Sequence, residues 1–212
     1  YPLDMSLITK STKSDWDAQV KIITENITET IIDDTFTLFP IEVKDKTITE
    51  IKKKLLGRKK NLQKISDIYY NYINKYQVIK GTNKKDWFDI ERLENGQTKI
   101  TGYSVKKGKK TTIFHQKTYY KSKTKEIWIY GLDDDDTFDV KGNAKELIKI
   151  RIIGGQNNDT YNILNGSRLK IYDHKSKKNT FTTKNGQVKL SDDYETNVYN
   201  YKKLPNSINV IN

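Results

Sequence analysis

The sequence predicts an α+β fold with three parts in order: an N-terminal helical hairpin, a β meander and a short β-solenoid-like repeat region. Three observations predict it. Apolar residues recur at helical spacing from Trp16 to about Tyr76, and the pattern changes to alternation punctuated by Gly and Asn from Gln77 onward. A strand–turn–strand phrase then returns at a fixed offset of 23 residues. The boundaries that follow are a helical segment over 1–76, a β region over 77–190 with repeats at 127–140, 150–163 and 169–182, and a polar linker over 191–212. All are expected to form one cooperative unit.

The first helix is expected to start near Ser14, where Ser14-Asp15-Trp16-Asp17 offers a cap oxygen and early negative charge for the helix dipole. Trp16, Val20, Ile23, Ile27 and Ile31 then fall on one stripe, and Pro40 lies beyond the end. Thr47-Ile48-Thr49-Glu50 has capping-box spacing and signals a second start. Ile51, Leu55, Leu62, Ile65, Tyr69, Tyr72 and Ile73 continue its stripe, with Gly57 as a candidate kink.

In the β region, Asn95-Gly96 between Trp87-Phe88-Asp89-Ile90 and Lys99-Ile100-Thr101-Gly102-Tyr103 predicts a type I′ hairpin, because both central residues of that turn need positive φ. Lys107-Gly108-Lys109 predicts a second turn and so a meander of about three strands. Downstream, Ile127-Trp128-Ile129-Tyr130-Gly131 leads through a polar turn to Asp136-Thr137-Phe138-Asp139-Val140. The phrase returns as Ile150-Arg151-Ile152-Ile153-Gly154 and Asp159-Thr160-Tyr161-Asn162-Ile163, and a degraded copy runs from Leu169 to Phe181. No unit can bury its apolar face alone, so stacking would align Phe138, Tyr161 and Phe181 as an inward ladder beside Thr137, Thr160 and Thr180. An ordinary antiparallel sheet is the alternative arrangement.

Gly154-Gly155-Gln156-Asn157-Asn158-Asp159-Thr160-Tyr161-Asn162 resembles the nonapeptide of calcium-binding β-rolls. Hard cations take many oxygen ligands, which makes Asp133, Asp134, Asp135, Asp136, Asn157, Asn158 and Asp159 the candidate calcium ligands. The competing reading is a solvated turn in which Asp and Asn bond their own backbone. The motif is one copy deep, and the third turn carries Lys175, Lys177 and Lys178 where ligands would be needed. No other cofactor is indicated. Two histidines, His115 and His174, cannot furnish a binuclear metal centre, and with no cysteine there is no thiol nucleophile or Cys-based zinc site. Nucleophile-elbow, Walker and dinucleotide signatures are missing, so the residues assign no catalytic site and this piece is expected not to be an enzyme.

The net charge of +12, from 39 basic and 27 acidic residues, is unevenly placed. Residues 1–46 carry 5 basic and 9 acidic groups, residues 47–125 carry 21 and 6, and residues 126–212 carry 13 and 12. A Lys-rich middle segment invites a polyanion. Only four of the basic residues are Arg, however, which argues against nucleic acid and for a solvated surface. Starting at Tyr1 without a signal-peptide pattern, the sequence is expected to be a processed chain or an excised piece.

The phrases Lys125-Glu126-Ile127-Trp128-Ile129-Tyr130-Gly131-Leu132-Asp133 and Ile150-Arg151-Ile152-Ile153-Gly154-Gly155 resemble the middle region of large Bacteroidetes-type envelope proteins. In these, a calcineurin-like metallophosphoesterase domain is joined to a surface-antigen type outer-membrane β-barrel. Gly57-Arg58-Lys59-Lys60-Asn61-Leu62, Tyr69-Tyr70, Gly81-Thr82-Asn83-Lys84, Trp87-Phe88-Asp89-Ile90-Glu91-Arg92 and Asp192-Asp193-Tyr194-Glu195-Thr196-Asn197 extend the likeness over most of residues 14–203. No phosphoesterase ligand motif falls on any position here. The resemblance implies a non-catalytic, monomeric structural or connecting module in the bacterial cell envelope, periplasmic or outer-membrane associated. Its partners would be neighbouring domains of the same polypeptide or an envelope protein.

Overall fold

The computed structural model describes residues 4, 7, 8, 10–182 and 186–202. It is mixed α and β, with N-terminal helices followed by two β-sheets, one of them five-stranded and wholly parallel. The chain divides into two compact units, Ser11–Tyr72 and the remainder formed by Tyr1–Lys10 with Ile73–Asn212.

Where two long helices were expected there are four, α1 (Lys13–Asn26), α2 (Glu29–Thr37), α3 (Lys46–Lys60) and α4 (Leu62–Asn74). The first break falls at Thr28, whose hydroxyl accepts the Ile31 N–H and starts a new helix. The second falls at Asn61 and not at Gly57, which lies inside α3. Both expected starts move by two residues. Thr12 and Asp15 form the capping box of α1, and Asp45 caps α3 through the Thr47 N–H. The buried face follows the expected stripe in part: Val20 and Ile73 are buried as expected, Ile32, Ser66 and Tyr70 are buried beside it, and Ile31 and Ile65 are about half exposed. Trp16 packs on Tyr69 and Tyr70, with ring centroids 5.9 and 5.7 Å apart. Lys13 pairs with both Asp17 and Asp67, tying α1 to α4.

The β-rich unit holds β1 (Tyr76–Lys80), β2 (Asp86–Leu93), β3 (Gln97–Lys106), β4 (Lys109–Tyr120), β5 (Glu126–Leu132), β6 (Thr137–Lys141), β7 (Lys149–Gly155), β8 (Thr160–Ile163), β9 (Leu169–Asp173), β10 (Thr180–Phe181) and β11 (Gln187–Leu190). One sheet has the order β1-β5-β7-β9-β11, and the other β10-β8-β6-β2-β3-β4. The expected meander is β2-β3-β4, antiparallel throughout, and Asn95 and Gly96 take φ of +57° and +68° as a type I′ turn requires. Lys107 and Gly108 do the same.

The three repeats are β5–β6, β7–β8 and β9–β10, and equivalent strands pair in parallel, which removes the antiparallel alternative for this region. Odd and even strands send side chains into one core, including Ile127, Ile129, Ile150 and Ile152 from one sheet and Phe88, Ile90, Phe138 and Tyr161 from the other. The aromatic ladder forms as expected and is one ring longer. Phe88, Phe138, Tyr161 and Phe181 stack at centroid distances of 5.2, 5.2 and 4.9 Å, and Phe114 meets Phe88 edge-on. Each such pair adds about 0.5–1.5 kcal/mol beyond the burial of its area.

The fourth ring belongs to a repeat that the 23-residue period hides. Gly81, Asp86, Phe88 and Asp89 match Gly131, Asp136, Phe138 and Asp139, and the β1/β5 and β2/β6 registers join residues 50 apart because the β3–β4 hairpin is inserted between. Of the segment expected as a linker from 191, residues 203–212 lie outside the described residues. Before them, Asn197 is buried and Tyr199 packs edge-on against Tyr130 at 5.1 Å, so this stretch is attached to the sheet.

Candidate functional site: a column of buried carboxyls

In the first two repeats the first strand carries a glycine near its end and the second begins just after an acid, Asp136 or Asp159, so stacking places these acids one above the other. Asp86, Asp136, Asp159 and Asp173 are all at most 1% exposed. The Asp86 N–H donates to Asp136 Oδ1 at 2.8 Å, and the Asp136 N–H donates to Asp159 Oδ1 at 2.8 Å. Asn179 takes over in the last repeat, accepting the Asp159 N–H on Oδ1 at 2.9 Å. Asp136, Asp159 and Asn179 thus each satisfy a backbone donor at the turn of the preceding repeat, which no strand ladder reaches, while Asp86 and Asp173 accept from the Thr82 and His174 N–H groups of their own turns.

The second oxygens face inward. Asp136 Oδ2 and Asp159 Oδ2 are buried without a hydrogen-bond partner among the described residues. A Cβ on Gly131 would strike Asp136 Oδ2 and the Gly154 carbonyl oxygen, and one on Gly154 would strike Asp159 Oδ2, Asp173 Oδ2 and the Tyr161 hydroxyl. These oxygens therefore crowd the glycine Cα, leaving no room there for a side chain. Tyr161 donates its hydroxyl to Asp173 Oδ2 at 2.6 Å.

At Asp136 and Asp159 an ionised carboxylate would have one backbone N–H to hold it. Burial pushes the Asp136 carboxyl up to about 9 and raises Asp86, Asp159 and Asp173 above the usual carboxylate range; the Asp173 charge beside Asp159 adds to its rise. At neutral pH Asp136 and Asp159 hold their protons and act as neutral hydrogen-bonding groups.

The candidate calcium ligands separate into two settings. Asp136 and Asp159 belong to the buried column, whereas Asp133, Asp134, Asp135, Asn157 and Asn158 sit in the stacked outer turns. Asp133 Oδ1 accepts from the Asp134 N–H and the Asn157 amide, Asp135 Oδ1 accepts from the Asn158 N–H, and Lys85 Nζ reaches Asp135 Oδ2 at 2.8 Å. Asn158 Oδ1 in turn accepts the Lys178 N–H at 2.8 Å. Backbone amides and Lys85 thus occupy turn oxygens that a calcium ion would need. Among the described residues no group of three or more acidic or histidine side chains is arranged to hold a metal ion.

No family model, curated protein or solved structure matches this chain.

His115 is buried in β4, 3.2 Å from the Tyr119 hydroxyl, and burial lowers its pKa to about 4. His174 lies elsewhere, with Nδ1 3.6 Å from Asp192 Oδ1. The basic middle segment is divided by the boundary between the two units. Lys52 pairs with Asp33 in one; in the other, Lys110 binds Asp89 and covers the rings of Trp87 and Tyr103 at 4.7 and 5.0 Å. Asp86 and Asp173 were missed by sequence reasoning. The signal for Asp86 was a glycine five residues before an acid that is followed two residues later by Phe88, as in Gly131, Asp136 and Phe138.

Proposed function

We propose that this chain is a non-catalytic structural and connecting module of a bacterial cell-envelope protein, with its repeats stacked as a short β-solenoid. It would set the spacing of neighbouring domains of the same polypeptide or of an envelope partner. The observation that carries this reading is the use made of the acids. The carboxyls with the strongest displacement from ordinary ionisation are sealed in the core and bond one repeat to the next, while a working acid or base needs access to substrate. Stacking of this kind gives a rigid element in which each layer depends on its neighbours. The envelope setting rests on the sequence resemblance.

Assayed with an aryl phosphate and added manganese, magnesium or calcium, the protein is expected to give no turnover, and millimolar calcium is expected to leave its Tm unchanged. Metal-dependent turnover that survives repurification overturns the non-catalytic reading. A calcium-dependent rise of several degrees would make the outer turns an ion site.

A further inference from the structure

At the ends of the strands away from the acidic column, return loops lead from β6 to β7 and from β8 to β9. A cavity of about 990 Å³ opens there. Lys149, Arg168 and Lys170 line it, and no Asp or Glu is among its described lining residues. Lys149 also contacts Glu126 at 3.1 Å.

The loop forming one wall is braced on several sides. Asn165 donates its amide to the Gly142 carbonyl at 3.3 Å and to Asn143 Oδ1 at 3.1 Å, and accepts the Ser167 N–H at 3.0 Å. Arg92 reaches the same loop from β2, with Nη1 donating to the Asn165 and Ser167 carbonyls. Arg92 is only 2% exposed, and its Nε and Nη2 find no hydrogen-bond partner among the described residues. Burial lowers its pKa to about 10, which leaves the guanidinium charged at neutral pH. A buried cation without a paired carboxylate is costly, and a nearby anion offsets that cost. Two independent features, a lining whose only charged residues are cations and the uncompensated Arg92 charge bound to its wall, point to the same ligand chemistry.

We propose that this cavity binds a multiply charged phosphate group, held by Lys149, Arg168 and Lys170 on a loop braced by Arg92. With Lys149 shared with Glu126, Arg168 and Lys170 supply the charge that exceeds what one carboxylate needs, and the fork of Arg168 suits phosphoryl oxygens. The group can belong to a soluble phosphate compound or to a lipid headgroup, and both present the same oxygens. This inference stands apart from the proposed structural role and survives its failure.

The test is calorimetric titration of the whole chain with pyrophosphate at constant ionic strength, beside melting with and without it. Saturable binding and a raised Tm are expected. Arg168→Gln with Lys170→Gln should weaken binding about tenfold or more, each single variant carrying part of that loss. Arg168 is exposed and Lys170 partly exposed, so unliganded melting should stay near that of the parent. Lys106→Gln with Lys107→Gln on the β3–β4 turn should leave affinity unchanged. No binding, equal binding by the Arg168 and Lys170 variants, or an equal loss in the β3–β4 control overturns the proposal. Vesicles of neutral lipid doped with phosphatidic acid then separate the sources. Co-sedimentation lost in the same variants assigns a headgroup, and pyrophosphate binding without co-sedimentation assigns a soluble ligand.

Discussion

Gly131→Ala and Gly154→Ala are each expected to destabilise the β-rich unit by about 3 kcal/mol or more, seen as a large fall in the urea midpoint or loss of the folded form. The added methyl meets the Gly154 carbonyl and Asp136 Oδ2 in the first case, and three oxygens of the column in the second, all closer than real Cβ atoms approach. Relief requires moving a strand or turning a carboxyl away from its amide, which strands a buried N–H. Gly57→Ala is the informative contrast. It lies in α3 with nothing within 4 Å of its Cβ position and should stabilise by about 0.5–1 kcal/mol. Midpoints for Gly131→Ala and Gly154→Ala close to the parent would mean that the oxygens are not packed on the glycines.

The second large effect is a loss of stability at alkaline pH. Asp136 keeps its proton in the fold up to about pH 9, whereas in the unfolded chain it ionises near pH 4. Between these values the folded state holds the extra proton. Its contribution is therefore complete below about pH 4 and disappears as pH rises through about 9. Each such group changes stability by up to about 1.4 kcal/mol per pH unit, and Asp86, Asp159 and Asp173 act in the same direction. His115, lowered to about 4, works the other way only from there to its ordinary value of 6.5, and Lys117, also lowered by burial, opposes at the alkaline end. Unfolding measured from pH 6.5 to 9 should thus show falling stability. Asp136→Asn keeps an acceptor for the Asp86 N–H without a charge, so it should flatten the profile and exceed the parent at pH 9. Asp136→Ala strands that N–H and should cost about 3 kcal/mol near pH 6.5, a cost that shrinks as pH rises because the same titrating carboxyl is gone. If the Asn and Ala variants lose stability equally and keep the parent's slope, the column is not protonated.

Local signals in the sequence carried over well. Asn95-Gly96 and Lys107-Gly108 are turns whose backbones take positive φ, a requirement written into Asn95, Gly96 and Gly108 though not into Lys107. The register of Phe138, Tyr161 and Phe181 was legible because each keeps its place in a repeated phrase. The helix breaks were less so, since Thr28 and Asn61 interrupt apolar stripes that continue past them. The carboxyl column was half visible. Asp133 to Asp136 are four identical residues in a row, and only stacking decides that the first three meet solvent and the fourth the core. Asp86 escaped notice because the inserted hairpin more than doubles the spacing to its counterpart.

Removing one repeat tests the central claim most directly. Deleting residues 132–154 joins Gly131 to Gly155, which replaces Leu132 with the residue paired to it in the β5/β7 register and likewise at positive φ, +124° against +90°. The shortened chain would bring β8 against β2, β9 against β5 and Asp159 against Asp86. If the repeats are equivalent layers, it should unfold cooperatively in urea with a lower midpoint and a smaller m-value, and keep a reduced alkaline sensitivity from Asp86, Asp159 and Asp173. A chain that shows no cooperative transition at any pH would contradict the account, because the repeats would then be parts of one irreplaceable core.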